Sequence, residues 1–234
     1  MLRLALLSLS LLLLGSLPAV LRAQDGPVPD GAAPAGAGGA PGGEPGTRLE
    51  AAPLRKLELS RRLYEAGRDA RDALLVIAGA RLRKQVALSS VAREGAAPAA
   101  GFAPLGWEEM LAEAESLAGE DADLLGIIAD LRAERQKGIV SGPVYSIAVL
   151  EAGLSARYGP YPFAAGRYAE VYVEGDGRSD LDLYVHDAAG RLVCADTDIS
   201  DIAHCGWRPA EAGDFLLTVT NAGGHENRFA LMTN

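Results

Sequence analysis

Three carboxylates, Asp196, Asp198 and Asp201, fall within six residues of one stretch, DTDISD. Hard oxygen donors at that density suit Ca2+. The stretch begins like a twelve-residue calcium loop. Ser200 and Asp201, however, stand where such a loop needs Asp or Asn and then Gly, and no Glu follows at its twelfth position. It is therefore not an EF-hand. Upstream, Asp180 and Asp182 lie two apart in a strand-like segment and share its polar face with Tyr184 and His186. The five acids, Asp180, Asp182, Asp196, Asp198 and Asp201, form one candidate calcium set. Against it stands the plainer reading of turn-forming acids and a solvated strand edge that resists aggregation.

No other constellation supplies chemistry. His186, His204 and His225 have no ligand spacing to one another, and neither an HExxH helix nor a GxSxG elbow is present. Catalysis has no candidate residues, so the chain reads as a non-enzyme. Cys194 and Cys205, eleven apart, are the only cysteines. In an exported chain they read as one disulfide rather than as a metal site or a redox pair, which also removes Cys205-Gly206-Trp207 as a thiolate candidate. The expected geometry is a hairpin, with Cys194 ending one strand, the acidic loop turning the chain, and Cys205 on the returning strand.

Export is read from the start of the chain. Met1–Ala23 carries Arg3 in a short positive region and then an apolar run, Leu4–Leu17, too short to span a bilayer comfortably. Cleavage after Ala23 or after Ala19 both fit, and an uncleaved anchor is the plainer alternative. Removing Arg3 and Arg22 takes the formal charge from −9 (22 bases, 31 acids) to −11. A chain this acidic has no electrostatic footprint for nucleic acid or anionic lipid. No later segment is apolar enough to cross a membrane. Residues 24–48, almost wholly Gly, Pro and Ala with a few acids, read as a disordered linker.

Two kinds of periodicity follow. Residues 49–138 are helical in pattern: Leu63, Ala66, Ala70, Ala73, Leu74 and Ile77 recur at steps of three and four up to about Leu88. A Gly/Ala/Pro break at 95–106 is followed by two shorter helices, separated by Gly119 and an Asp121 cap. Residues 48–94 carry eleven bases and six acids, residues 95–138 nine acids and three bases. Opposite charge on the two halves favours an antiparallel helical hairpin. From 139 to 234 the period is two. Val144–Leu150, Val171 with Val173, Leu181–Val185, Leu192 with Cys194, Phe215–Val219 and Phe229 with Leu231 mark short strands, with GDG (175–177), DAAG (187–190) and GPYPF around Pro160 as turns. The segment 169–194 reads as three strands of one sheet. The fold class is α+β: an N-terminal helical hairpin, then an antiparallel β-sandwich of jelly-roll or immunoglobulin-like type.

The segments GDGRSDLDLYVHDAAGRLV, AEAGDFLLTVTN and NRFALMTN resemble the bacterial pre-peptidase C-terminal domain, a β-sandwich found behind the catalytic domains of many secreted peptidases. The resemblance covers about the last ninety residues, from the DLDLYV strand and the Asp187–Gly190 turn to the strand at Ala212, Gly213 and Phe215. It implies a sandwich that in some members binds calcium near its loops. The chain departs from the family in having helices, not a peptidase, before the sandwich. The expectation is a secreted or periplasmic non-catalytic binding or accessory module whose partner is an extracytoplasmic protein or polysaccharide, stabilised by calcium if the acids converge. The alternative is a trans-acting partner, inhibitor or chaperone-like, of a secreted hydrolase.

Overall fold

The structure is a computed structural model and describes residues 52–93, 101–135 and 142–234. The expected signal segment and the linker at 24–48 lie outside the described residues. Among the described residues four helices precede the sandwich: α1 (Pro53–Ala70), α2 (Ala73–Lys84), α3 (Trp107–Ala118) and α4 (Ala122–Ala133). Where the periodicity suggests one helix running to Leu88, the chain turns back at Arg71, which takes the left-handed conformation at φ 53°. Asp72 then caps α2 by accepting from Leu74 N (2.8 Å) and Leu75 N (3.3 Å). The apolar stripe continues through this turn, so periodicity alone does not show the break. Gly67 makes the turn possible, because a Cβ there would sit 2.7 Å from the Val76 side chain. Gly119 and Asp121 separate α3 from α4 as their types suggest, with Asp121 accepting from Asp123 N and Leu124 N.

Among the described residues nine strands form two sheets. Sheet A has the order β1-β2-β9-β4-β7: β1 (Ser89–Ser90), β2 (Val144–Leu150), β9 (Asn227–Thr233), β4 (Ala169–Gly175) and β7 (Ile202–Trp207). Sheet B has the order β3-β8-β5-β6: β3 (Ser155–Phe163), β8 (Gly213–Asn221), β5 (Leu181–Asp187) and β6 (Leu192–Asp196). All pairings are antiparallel except β1 with β2, through which the segment after α2 joins the sheet. The α+β class and the sandwich stand as expected.

Two local readings change and one holds. The segment 169–194 does not lie in one sheet: β4 belongs to sheet A, and GDG carries the chain across to β5 in sheet B. GPYPF is not a turn between strands, because β3 runs through it with a bulge between Tyr158 and Tyr161. Proline is tolerated there because β3 is an edge strand. DAAG is a true hairpin turn, in which Asp187 accepts from Ala189 N and Arg191 N.

The sandwich core is made of the alternating positions Val171 and Val173, Leu181, Leu183 and Val185, Leu217 and Val219, and Phe229 and Leu231. A second apolar layer lies on the other side of sheet A. Leu54 and Leu57 of α1 pack there on Ile147, Tyr172, Ile202, Ala230 and Met232. Every residue of β4 is consequently buried, including Glu170 and Glu174. A strand covered on one face should alternate buried with exposed; β4 does not, because sheet A is the middle of three layers. The helices hold a further core around Val76, Ile77, Met110, Leu111, Ile128 and Leu131.

Candidate binding face

The helices close the outer face of sheet A with charge as well as apolar contact. Ala52 cannot cap α1 with its side chain, so Glu170 on β4 does it, accepting from Leu54 N (3.2 Å) and Arg55 N (2.8 Å). A carboxylate at a helix N-terminus satisfies free amides and complements the helix dipole. Glu170 also faces His204 Nε2 at 3.1 Å, while Nδ1 of the same ring lies 3.7 Å from Glu58. Glu174 accepts from Arg83 (2.7 Å), the Tyr172 hydroxyl (2.9 Å) and Leu105 N (2.9 Å). Burial works to raise the Glu174 carboxyl, but Arg83, Arg61 and these donors outweigh it and hold it below the usual carboxylate value. Arg61 of α1 and Arg83 of α2 thus find acids of the sandwich, while Arg55 and Arg62 pair with Glu58 within α1. Among the described residues the ion pair between the basic and acidic helical halves is the exposed Arg68–Glu113, at 3.9 Å.

Each acid of the candidate calcium set is turned to a partner of its own. Asp201 pairs with Arg61 at 2.8 Å. Asp196 accepts from His204 N (2.8 Å) and Asp180 from Ser200 N (2.9 Å). Asp182 accepts from the Tyr184 hydroxyl (3.2 Å), and the exposed Asp198 lies 3.7 Å from Arg62. Asp182 stays near Asp180 and Asp196: burial and these two charges push its carboxyl up, against the Tyr184 hydrogen bond. Among the described residues no group of three or more His, Cys, Asp or Glu takes up a metal-holding geometry. Asp180, Asp196 and Asp201 hold the β6–β7 crossover through these contacts. Ser200 Oγ and Asp196 take the amides of Ile202 and His204, blunting the free edge of β7.

Cys194 and Cys205 lie at disulfide distance, with sulfurs 2.14 Å apart and α-carbons 5.9 Å apart. The expected hairpin around them is not what the chain builds: β6 pairs with β5 in sheet B and β7 with β4 in sheet A. The bridge ties the two sheets at their shared edge.

Asp201 gives this crossover a pH dependence. Arg61 is shared with Glu65 and Glu174, so burial outweighs it and pushes the Asp201 carboxyl up to about 6 from 3.8. The folded state then holds a proton between about pH 4 and 6 that the unfolded chain releases. Asp201's contribution is full below pH 4 and is lost as pH rises through 6. The shift corresponds to roughly 2–3 kcal/mol. Asp201→Asn should flatten the fall in unfolding free energy across that window, as read by urea titrations at pH 4, 5, 6 and 7. An unchanged slope would refute the assignment.

Among the described residues sheet B's outer face has no such cover. Its outward positions are Asp182, Tyr184 and His186 on β5, Asp214, Leu216 and Thr218 on β8, and Arg157 on β3, all exposed or half-buried. A cleft of about 580 Å³ is lined by Arg157, His186, Asp214, Leu216 and Thr218. A second, of about 490 Å³, lies between the β5–β6 turn and the β7–β8 connection. The two meet at Asp187, Ala188 and Asp214. His186 was legible as a face residue of β5. Arg157 and Asp214 carried no motif, and only strand register brings them beside it.

No family model matches the chain, and no curated protein does. Among solved structures it is similar to a periplasmic inhibitor of g-type lysozyme, PliG, from Aeromonas hydrophila (11% identity, TM-score 0.30, 43% of this chain and 91% of that one). It is also similar to the pre-peptidase C-terminal domain of a collagenase from Bacillus anthracis (9% identity, TM-score 0.26, 36% and 91%). A third is the C-terminal CBM6 of LamC, a laminarinase from Zobellia galactanivorans (11% identity, TM-score 0.26, 36% and 75%). Similarities of this size assign no family; the sandwich itself is established by the sheets described above.

Proposed function

We propose that this protein is an extracytoplasmic, non-catalytic binding module that presents the open face of sheet B to a polysaccharide or protein partner. The observation that carries this reading is the asymmetry of the sandwich. One outer face is sealed by a helical layer and buried ion pairs, while the other keeps charged, aromatic and apolar side chains beside two connected clefts. Ligand sites are commonly concave and mix apolar walls with a few convergent polar groups.

The reading is tested by substituting Arg157, His186 and Asp214 together with alanine and measuring retention of residues 24–234 on envelope polysaccharide and envelope protein fractions. A loss of at least about tenfold is expected if these side chains anchor the partner. The same loss from control substitutions on α4, with the triple variant unaffected, would move the site to the helices.

A second reading, a trans-acting partner of a secreted hydrolase, rests on Ile199. This side chain is 95% exposed at the tip of the β6–β7 loop, whose base is held by the cysteine pair and the Arg61–Asp201 contact. A rigid loop with an apolar tip is suited to filling a socket on another protein. In this case the chain slows a secreted lysozyme or peptidase, and Ile199→Asp abolishes the effect without changing the fold.

A further inference from the structure

Trp207 lines the 490 Å³ cleft. It is only 9% exposed, and its ring is fixed by Phe163 (centroids 4.9 Å apart) and Phe215 (5.3 Å). Its indole N–H is buried and meets no acceptor among the described residues. An indole nitrogen is a donor only, and a buried donor without an acceptor is uncommon enough to require a reason. Glu211 and Asp214 line the same cleft, both exposed and neither in an ion pair among the described residues. The remaining charges are engaged: Asp187 with Arg191 at 2.7 Å, and Arg208 with the Gly166 carbonyl at 3.0 Å. Ala188, Ala210 and Ala212 keep the cleft free of bulk.

We propose that this cleft binds a neutral saccharide unit, with one hydroxyl accepting from Trp207 Nε1–H and another donating to Glu211 or Asp214. A hydroxyl both donates and accepts, so neighbouring hydroxyls on one ring serve the indole and the carboxylates together. The two unpaired carboxylates repel an anionic polymer. Val193 and Pro209, in the same wall, offer apolar contact to a ring face. Reaching the indole requires exposed side chains at the cleft mouth to rotate, a picosecond-to-nanosecond motion. The inference rests on the reading of sheet B's side of the molecule as the binding side, and it narrows the partner to a saccharide.

The test follows both indole N–H resonances of the 15N-labelled chain (residues 24–234) during titration with cellotetraose, chitotetraose and, as controls, tetragalacturonate and the peptide acetyl-Lys-Val-Thr-Val-Lys-amide. Concentrations reach about 10 mM, above the millimolar end of weak specific binding. A saturable shift of the Trp207 indole with a neutral tetrasaccharide, the Trp107 indole staying in place, is expected. Glu211→Gln should weaken that binding several-fold with the melting temperature unchanged, and Trp207→Phe should remove at least about tenfold of the affinity, the loss of one buried hydrogen bond. No shift with either neutral sugar, or an equal shift with the peptide or the uronate, overturns the inference. If the sugars shift only resonances around Arg157 and His186, the saccharide cleft is wrong while the open-face reading survives.

Discussion

Glu174→Gln is expected to lower the unfolding free energy by about 3–5 kcal/mol, the range for removing one partner of a buried ion pair. Glu174 is 1% exposed and Arg83 3%. Two further nitrogens of Arg83, Nε and Nη1, lack partners among the described residues, so the guanidinium depends on this carboxylate. The amide also loses part of its acceptor capacity, while the Tyr172 hydroxyl and Leu105 N still require acceptors at the same place. Replacing both sides, Glu174→Leu with Arg83→Met, should cost less than the single change, because no unpaired charge is left behind. Urea unfolding of the three proteins, the unsubstituted chain included, checks this, and a double variant no better than Glu174→Gln would show that the charges are not coupled. The pH sign is opposite to that of Asp201. Glu174 is held below 4.5, so its contribution is present above that value and fades as pH falls through the lower folded one.

Opening the Cys194–Cys205 link is expected to cost about 3 kcal/mol, the chain-entropy value for a loop of this size, less any strain. The effect should be felt in both sheets, since the link joins β6 of one to β7 of the other. Reduction should therefore shift the whole unfolding transition rather than loosen one loop. Non-reducing peptide mapping provides the chemical check: a linked peptide containing both cysteines is expected, and two freely alkylated thiols would refute the bridge.

The elements of the sandwich were legible because their inward positions keep strict alternation. Leu181, Leu183 and Val185, or Phe215, Leu217 and Val219, face the core as their period requires. Sheet membership was not legible, since alternation looks the same whichever sheet a strand joins; β4 and β5 follow one another in sequence yet lie in opposite layers. Glu170, Tyr172 and Glu174 read as the solvent side of β4 because nothing in a strand's own residues reports a helix lying over it. A signal was present in the excess of Arg and Lys on the first two helices, but charge alone pointed to the acidic helices as partners as readily as to the strand. Of the acids of DTDISD, Asp198 and Asp201 lie in the β6–β7 connection, while Asp196 ends β6. Their separate partners, Arg61 and Arg62 on α1 and the amide of His204 on β7, come from other elements and were beyond reach of spacing.

Helices and sandwich pack as one three-layer body, which among the described residues leaves sheet B as the uncovered face. The two tryptophans test it directly: Trp107 begins α3 and Trp207 ends β7. In a urea titration of the chain without substitutions, the two native indole N–H resonances should disappear together with one midpoint, as cooperative unfolding requires. Loss of the Trp107 signal at clearly lower urea, with the Trp207 signal still native, would mean that the helices come away on their own, and would contradict the sealed face on which the account depends.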